Sequence, residues 1–179
     1  MNTPTFDATL WLTAAAIGGL LIASAFFSGS ETALTAASRS KLKTMADKGA
    51  PGAGIAMKIT EDNERMIGAL LLGNNVVNIL AASLATALMT RLFGDGGVAI
   101  ATGVMTVLVL VFGEVLPKTL SITFPEAVAV KVAPVVNLLI LVFSPIVNLV
   151  RGIVRGILRL FGVRADPNSK FLALRDEIL

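Results

Sequence analysis

One glutamate stands in a long apolar stretch of this chain, where an ionised side chain needs a compensating partner. Glu114 lies in the sequence LVLVFGEVLPKTL, residues 108–120, directly after Gly113. A carboxylate at the centre of a membrane helix costs at least about 2.5 kcal/mol even on lenient insertion scales. Pro117 lacks a backbone N–H and leaves the carbonyl of Gly113, four residues earlier, without its helical donor. Glu114 and Gly113 therefore offer a carboxylate and a carbonyl oxygen to a cation.

Lys118 provides the competing explanation of Glu114. It follows four residues later, and oppositely charged residues at this spacing can pair along a helix. We favour a bound cation, because the long side chain of Lys118 can reach the membrane–water interface while Glu114 stays deeper in the membrane.

Two serines supply hydroxyl oxygens near the end of the first apolar run. Ser24 and Ser28 are four residues apart and so share one face of a helix. Gly29 predicts a break in that helix, and Ser30 and Glu31 suit the first turn of the next one. A broken helix is tolerated in a membrane where its backbone lines a cavity. In the alternative, each hydroxyl bonds the carbonyl four residues back in its own helix.

Three asparagines interrupt the second apolar run. Asn74 and Asn78 share a helical face, whereas Asn75 points elsewhere; hydrogen bonding between helices is the structural alternative. If these groups converge, two hydroxyls, one or two amides, a carboxylate and a carbonyl form an oxygen cage with one formal negative charge. Mg²⁺ takes six oxygen ligands at about 2.0–2.1 Å. We therefore predict a site that suits a largely dehydrated Mg²⁺ ion, although ligand type alone does not decide between Mg²⁺, Ca²⁺ and Mn²⁺.

Composition excludes several other kinds of site. The chain has no Cys and no His, which excludes disulfides, thiolate sites, haem ligation, the usual zinc sites and histidine acid–base chemistry. We also find no phosphate-binding loop and no pair of nucleophile and base, so an enzyme is not expected. Any metal must be bound by oxygen, which favours hard cations.

Long uncharged runs indicate an all-α integral membrane protein, with 55% hydrophobic and 15% charged residues. The runs are 8–27, 66–90, 96–113 and 132–150, and a membrane helix needs roughly 20 such residues. Segment 39–65 holds six Lys or Arg and the chain after Glu114 holds eight. The positive-inside rule then predicts three crossings, with the N-terminus outside and the C-terminus inside.

The fourth run is interpreted differently, because a crossing there would place the last six basic residues outside. We predict a bent hairpin, or a tilted juxtamembrane helix, that returns to the cytoplasmic side; a fourth crossing is the alternative. Amphipathic cytoplasmic helices are predicted over 31–48 and 55–65, separated by GAPGAG (49–54), and over 148–162, where Arg151, Arg155 and Arg159 face an anionic leaflet. We expect residues 1–164 to form a transmembrane ion-transport domain and residues 165–179 to be a linker towards a cytosolic module.

Three ordered motifs carry a family resemblance. FFSGSETALTAASRSKL, LLLGNNVVNI and FGEVLPKTL resemble the membrane domain of the CorC/CorB magnesium transport proteins and their eukaryotic cyclin M (CNNM) relatives, also called domain of unknown function 21. The resemblance covers about residues 8–160. It implies a homodimer in the plasma (inner) membrane, three spans with short cytoplasmic helices, and Mg²⁺ efflux coupled to Na⁺ entry. It also implies a cytosolic pair of ATP-binding CBS domains, which we expect to be absent from this chain.

The resemblance also assigns roles to individual residues. It implies metal ligands at the two serine hydroxyls, at one of two amides, at the carboxylate and at a backbone carbonyl: Ser24, Ser28, Asn74 or Asn78, Glu114 and Gly113. The cyclin M pattern has other residue types at the positions of Asn75, Lys118 and Glu31, which argues against direct ligation there. Supporting, Na⁺-binding or gating roles are expected for Gly29, Ser30, Glu31, Asn75, Pro117 and Lys118.

Two other functions remain open from the sequence. The domain could be a membrane anchor that senses Mg²⁺ for a cytosolic regulatory module and transports nothing. It could also be a selective cation channel, although one narrow cage favours a carrier. The homodimer could pack through small residues of the first span, Gly18 and Gly19 with Ala14 or Ala15.

Overall fold

The structure is a computed structural model that describes residues 8–162, and every regular element in that range is helical. The α-helices are α1 Ala8–Ala36, α2 Arg39–Asp47, α3 Ala53–Glu61, α4 Asn63–Phe93, α5 Gly97–Leu108, α6 Leu116–Thr123 and α7 Pro125–Leu160. A tight 3₁₀ turn at Gly94–Gly96 lies between α4 and α5, and a π-helical segment at Val109–Val115 lies between α5 and α6.

Three helical stretches are long and apolar enough to cross a membrane, judged by length and composition: Ala8–Ala36, Asn63–Thr123 and Pro125–Leu160. The second is divided into two arms by the turn at Gly94–Gly96. Small and apolar side chains of α1, α4 and α5 form a common core, made of Ile17, Ala81, Ala85, Ala101 and Met105. The chain is thus a helical membrane protein, and its orientation stays a prediction.

Helix α1 is continuous through Gly29, so the predicted break there is wrong. Ser30 and Glu31 lie inside α1 and not in the first turn of a new helix. The glycine instead permits a close helix contact, because a β-carbon at Gly29 would lie 3.2 Å from Ser121 Oγ and 3.5 Å from Pro117 Cβ. Its role is packing of α1 against α6.

The predicted helix over 31–48 is interrupted at Ala37 and Ser38, and α2 begins at Arg39. The predicted interruption at 49–54 is confirmed, since α2 ends at Asp47 and α3 begins at Ala53. The predicted helix over 55–65 is also divided, because Asp62 accepts a hydrogen bond from the Arg65 backbone N–H at 3.3 Å and caps α4.

The predicted hairpin within 132–150 is wrong, because α7 runs through this range as one helix. Pro134 does not reverse the chain. It leaves the Val130 carbonyl without a helical donor, and Gly52 lies close to that carbonyl, where a β-carbon would stand 2.3 Å from Val130 O. Gly52 has φ 85°, a conformation that favours glycine. A tilted juxtamembrane helix and a fourth crossing both remain predictions for α7.

The chain divides into two compact units, 1–142 and 143–179, with the boundary inside α7. The second unit contains the predicted basic stretch, which is helical up to Leu160; its position at a leaflet stays a prediction. The proposed linker 165–179 lies outside the described residues.

Candidate cation-binding site

The π-helical segment Val109–Val115 carries Glu114. The Leu116 N–H donates a hydrogen bond to the Val111 carbonyl, five residues earlier, as is typical of the wider turn of a π-helix. Such π-bulges are frequent at functional sites, because they rotate the residues around them relative to a regular helix. Pro117 stands in the first turn of α6, where a missing N–H is tolerated. We did not predict the π segment from the sequence, and the free Gly113 carbonyl stays a prediction.

The two serines of α1 both bond to other helices. Ser24 and Ser28 are buried, with 0% and 1% exposure. The Ser24 hydroxyl donates to Asn74 Oδ1 at 3.0 Å, and the Ser28 hydroxyl donates to Glu114 Oε2 at 3.3 Å. Each hydroxyl has one proton to donate, so neither is bound to the carbonyl of its own helix. The structure thus sets aside that alternative.

Asn74 is the centre of the polar cluster. Its Nδ2 donates to Glu114 Oε1 at 3.2 Å, and its Oδ1 also accepts from Asn78 Nδ2 at 3.4 Å. The Oδ1 atom of Asn78 is buried without a hydrogen-bond partner, so it is an available oxygen beside the cluster. Asn75 is exposed and stands outside it, in agreement with the predicted difference in face.

Lys118 pairs with Glu114, contrary to the prediction that it would reach away towards the interface. The Lys118 Nζ atom is 3.0 Å from Glu114 Oε2. The side chains are 47% and 27% exposed, respectively. The sequence could not decide this point, because pairing and reaching the interface both need the same flexible side chain.

The remaining candidates surround the cluster at different distances. Gly113 lies against Ser24, where a β-carbon would stand 2.9 Å from its hydroxyl oxygen. Gly29 and Pro117 form the helix contact described above. Ser30 is buried and its hydroxyl has no hydrogen-bond partner, and Glu31 is half-buried in α1. The structure therefore brings together Ser24, Ser28, Asn74, Asn78, Gly113, Glu114 and Lys118.

The cluster can present several oxygen ligands with little charge. The cluster contains one carboxylate, Glu114, beside hydroxyl and amide groups; among residues 8–162, no group of three or more His, Cys, Asp or Glu side chains could hold a metal ion. Adjacent ligands of an octahedral Mg²⁺ ion lie about 2.9 Å apart, given metal–oxygen distances of about 2.0–2.1 Å. The serine oxygens stand 3.0 Å and 3.3 Å from their oxygen partners, which is close to this spacing.

Comparison with known proteins agrees with this fold. The family model for the cyclin M transmembrane N-terminal domain (CNNM) matches residues 16–179. The UPF0053 inner membrane protein YfjD of Escherichia coli is 45% identical over 143 residues, which are 80% of this chain and 33% of that protein. A UPF0053 protein of Haemophilus influenzae is 35% identical over 153 residues, 86% of this chain and 36% of that protein.

A third relative has a more specific name. The polyamine export protein of Haemophilus influenzae is 29% identical over 167 residues, 86% of this chain and 39% of that protein. The chain thus spans about a third of the length of these relatives. The family match confirms the resemblance predicted from the three sequence motifs: the chain belongs to the cyclin M (CNNM) transmembrane domain family.

Proposed function

We propose that this chain is the membrane domain of a Mg²⁺ transporter and that it exports the ion through the cluster around Glu114. The proposal rests on one observation: hydroxyl, amide and carboxylate oxygens from α1, α4 and the π-helical segment meet at one partly buried point. Mg²⁺ is the cargo, and Na⁺ entry supplies the driving force.

Ligand chemistry supports a hard divalent cation. Oxygen ligands suit Mg²⁺, and the small ion gives up its water only where several ligands replace it. Ser24, Ser28, Asn74 and Glu114 offer such ligands, and Asn78 adds an oxygen that has no donor in the structure. The π-helical segment forms the third wall of the site and carries Glu114.

Ion flux tests this function directly. The chain is reconstituted into liposomes that contain a Mg²⁺-sensitive dye, with and without an opposing Na⁺ gradient. We expect Na⁺-stimulated Mg²⁺ movement in the parent and a loss of at least about tenfold in Glu114→Gln, which keeps the size of the side chain but removes its charge. A Glu114→Gln rate equal to the parent rate would contradict the proposal.

A polyamine is the second candidate cargo. One relative is named a polyamine export protein, and the ammonium group of Lys118 lies 3.0 Å from Glu114, so the site accepts a primary alkylammonium ion. Competition distinguishes the two cargoes: spermidine that displaces Mg²⁺ at micromolar concentration and is itself transported would favour the polyamine. No competition would favour Mg²⁺.

A Mg²⁺-sensing anchor without transport gives a different result in the same liposomes. Mg²⁺ would raise the thermal unfolding midpoint strongly, since ligands stabilise the state that binds them, but no flux would follow. For the whole protein we further infer a homodimer in the plasma membrane, coupled to an ATP-binding pair of CBS domains in the cytosol. Chemical crosslinking of the reconstituted chain tests the dimer.

A further inference from the structure

We propose that Lys118 is a tethered counter-ion of the cation site: its ammonium group neutralises Glu114 while no cargo is bound and has to withdraw when a cation binds. The inference rests on the proposed function, because it presupposes a cation at Glu114. In this role Lys118 lowers the affinity of the site for the cation and stabilises the domain when no cargo is bound. Lys118 is not itself a ligand of the cation.

Charge balance in the cluster supports this role. The other partners of Glu114 are the Ser28 hydroxyl and the Asn74 amide, which are neutral and cannot cancel its charge. Lys118 brings a formal positive charge to 3.0 Å from Glu114 Oε2. An unpaired carboxylate is expensive inside a membrane, so the pair stabilises the site when no cargo is present.

Geometry makes the two cations compete. Lys118 Nζ and the Ser28 hydroxyl both lie on the same oxygen, Glu114 Oε2, at 3.0 Å and 3.3 Å. A Mg²⁺ ion bound to that oxygen at about 2.0–2.1 Å would be no more than about 5 Å from the ammonium group. Two positive charges at this distance repel strongly in a medium of low dielectric constant. Binding of cargo therefore requires that Lys118 move.

Lys118 is placed so that it can move. Its side chain is 47% exposed, and its flexible four-carbon stem lets the ammonium group leave without a change in the backbone. Because the empty site is neutral with Lys118 in place, the domain can change conformation without cargo and without an unpaired carboxylate. Release of cargo is favoured for the same reason, since the ammonium group returns to Glu114.

Removal of the charge tests the inference. Mg²⁺ binding is measured by calorimetry on the purified chain for the parent, Lys118→Gln, Lys118→Arg and Lys131→Gln, where Lys131 is an exposed lysine of α7 that serves as the matched control. We expect Lys118→Gln to bind Mg²⁺ at least about fivefold more tightly, and the other two variants to resemble the parent. We also expect a lower thermal midpoint for Lys118→Gln without Mg²⁺ and recovery with Mg²⁺. Lys118→Met replaces the glutamine variant if that variant does not fold.

Three results would overturn the inference. If Lys118→Gln binds Mg²⁺ equally or more weakly while Glu114→Gln loses binding, the counter-ion role fails and the proposed function stands. If neither variant changes binding, both fail. If Lys118→Gln lowers the thermal midpoint by the same amount with and without Mg²⁺, the ion pair is only a structural contact.

Discussion

Gly113 lies directly against Ser24, so the π-helical segment and α1 are in close contact within the polar cluster around Glu114. A β-carbon at Gly113 would stand 2.9 Å from the Ser24 hydroxyl oxygen, which is held by its bond to Asn74. We expect Gly113→Ala to push this hydroxyl away from Asn74 and to weaken Mg²⁺ binding about tenfold in calorimetry. Gly103→Ala is the control, because no atom lies within 4 Å of its β-carbon position. Equal affinity of the two alanine variants would contradict this prediction.

Two neighbouring asparagines should differ sharply in their effect. Asn74 bonds Ser24, Asn78 and Glu114, whereas Asn75 is exposed. We expect Asn74→Ala to lower Mg²⁺ affinity at least about tenfold and to destabilise the fold by about 1–3 kcal/mol, because it leaves buried polar partners unpaired. Asn75→Ala should retain both properties. Calorimetry and thermal unfolding measure the difference, and a larger effect at Asn75 would show that the ligand face of α4 is assigned wrongly.

Gly73 admits the ring of Phe27 between α1 and α4. A β-carbon at Gly73 would stand 2.4 Å from Phe27 Cε1, and Phe27 is only 8% exposed. Gly73→Ala should therefore destabilise the chain by about 1–3 kcal/mol, as overpacking of a core usually does. Gly54→Ala, at an open position of α3, should leave the unfolding midpoint unchanged or raise it, because alanine favours helix. A Gly73→Ala midpoint at or above the parent value would refute the packing role.

Glu126 connects the start of α7 to the start of α2. Its Oε1 accepts from the Ser38 backbone N–H at 3.0 Å, and the Ser38 side chain makes no capping bond of its own. Glu126→Ala should lower stability by about 1 kcal/mol, the usual contribution of one such bond. Glu126→Gln keeps an acceptor and should lose less. Thermal unfolding compares the three proteins, and equal midpoints would mean that this bond does not stabilise the helix junction.

The residue types and spacings of the cluster were predictable from the sequence, but its helix geometry was not. Residues four apart share one face of a helix, so periodicity alone identifies the pairs Ser24–Ser28 and Asn74–Asn78. Gly29 was misinterpreted because glycine serves both a helix break and a close helix contact. The contact between Gly29 and Ser121, which are distant in sequence, shows that the close helix contact applies here. The π-helical segment likewise depends on tertiary packing, which no local pattern encodes.

Long-range partners also explain the error in α7. Prolines in a helix suggest a bend, but membrane helices tolerate them where neighbouring segments approach the freed backbone groups. Gly52 lies close to the Val130 carbonyl, on the turn before Pro134, and this contact between distant parts of the chain cannot be read from the local sequence. The pairing of Lys118 depended in the same way on depth in the membrane, which the sequence specifies only approximately.

Mg²⁺ titration of the purified chain by calorimetry tests the central claim most directly, with Glu114→Gln as the variant and Asp95→Asn as the control. Asp95 is exposed in the turn between α4 and α5. Asp95→Asn therefore makes the same change from carboxylate to amide at a position that is distant in sequence from the residues of the cluster. The expected result is that Glu114→Gln lowers Mg²⁺ affinity at least about tenfold and that Asp95→Asn binds like the parent. Mg²⁺ binding by Glu114→Gln with the affinity of the parent would contradict it.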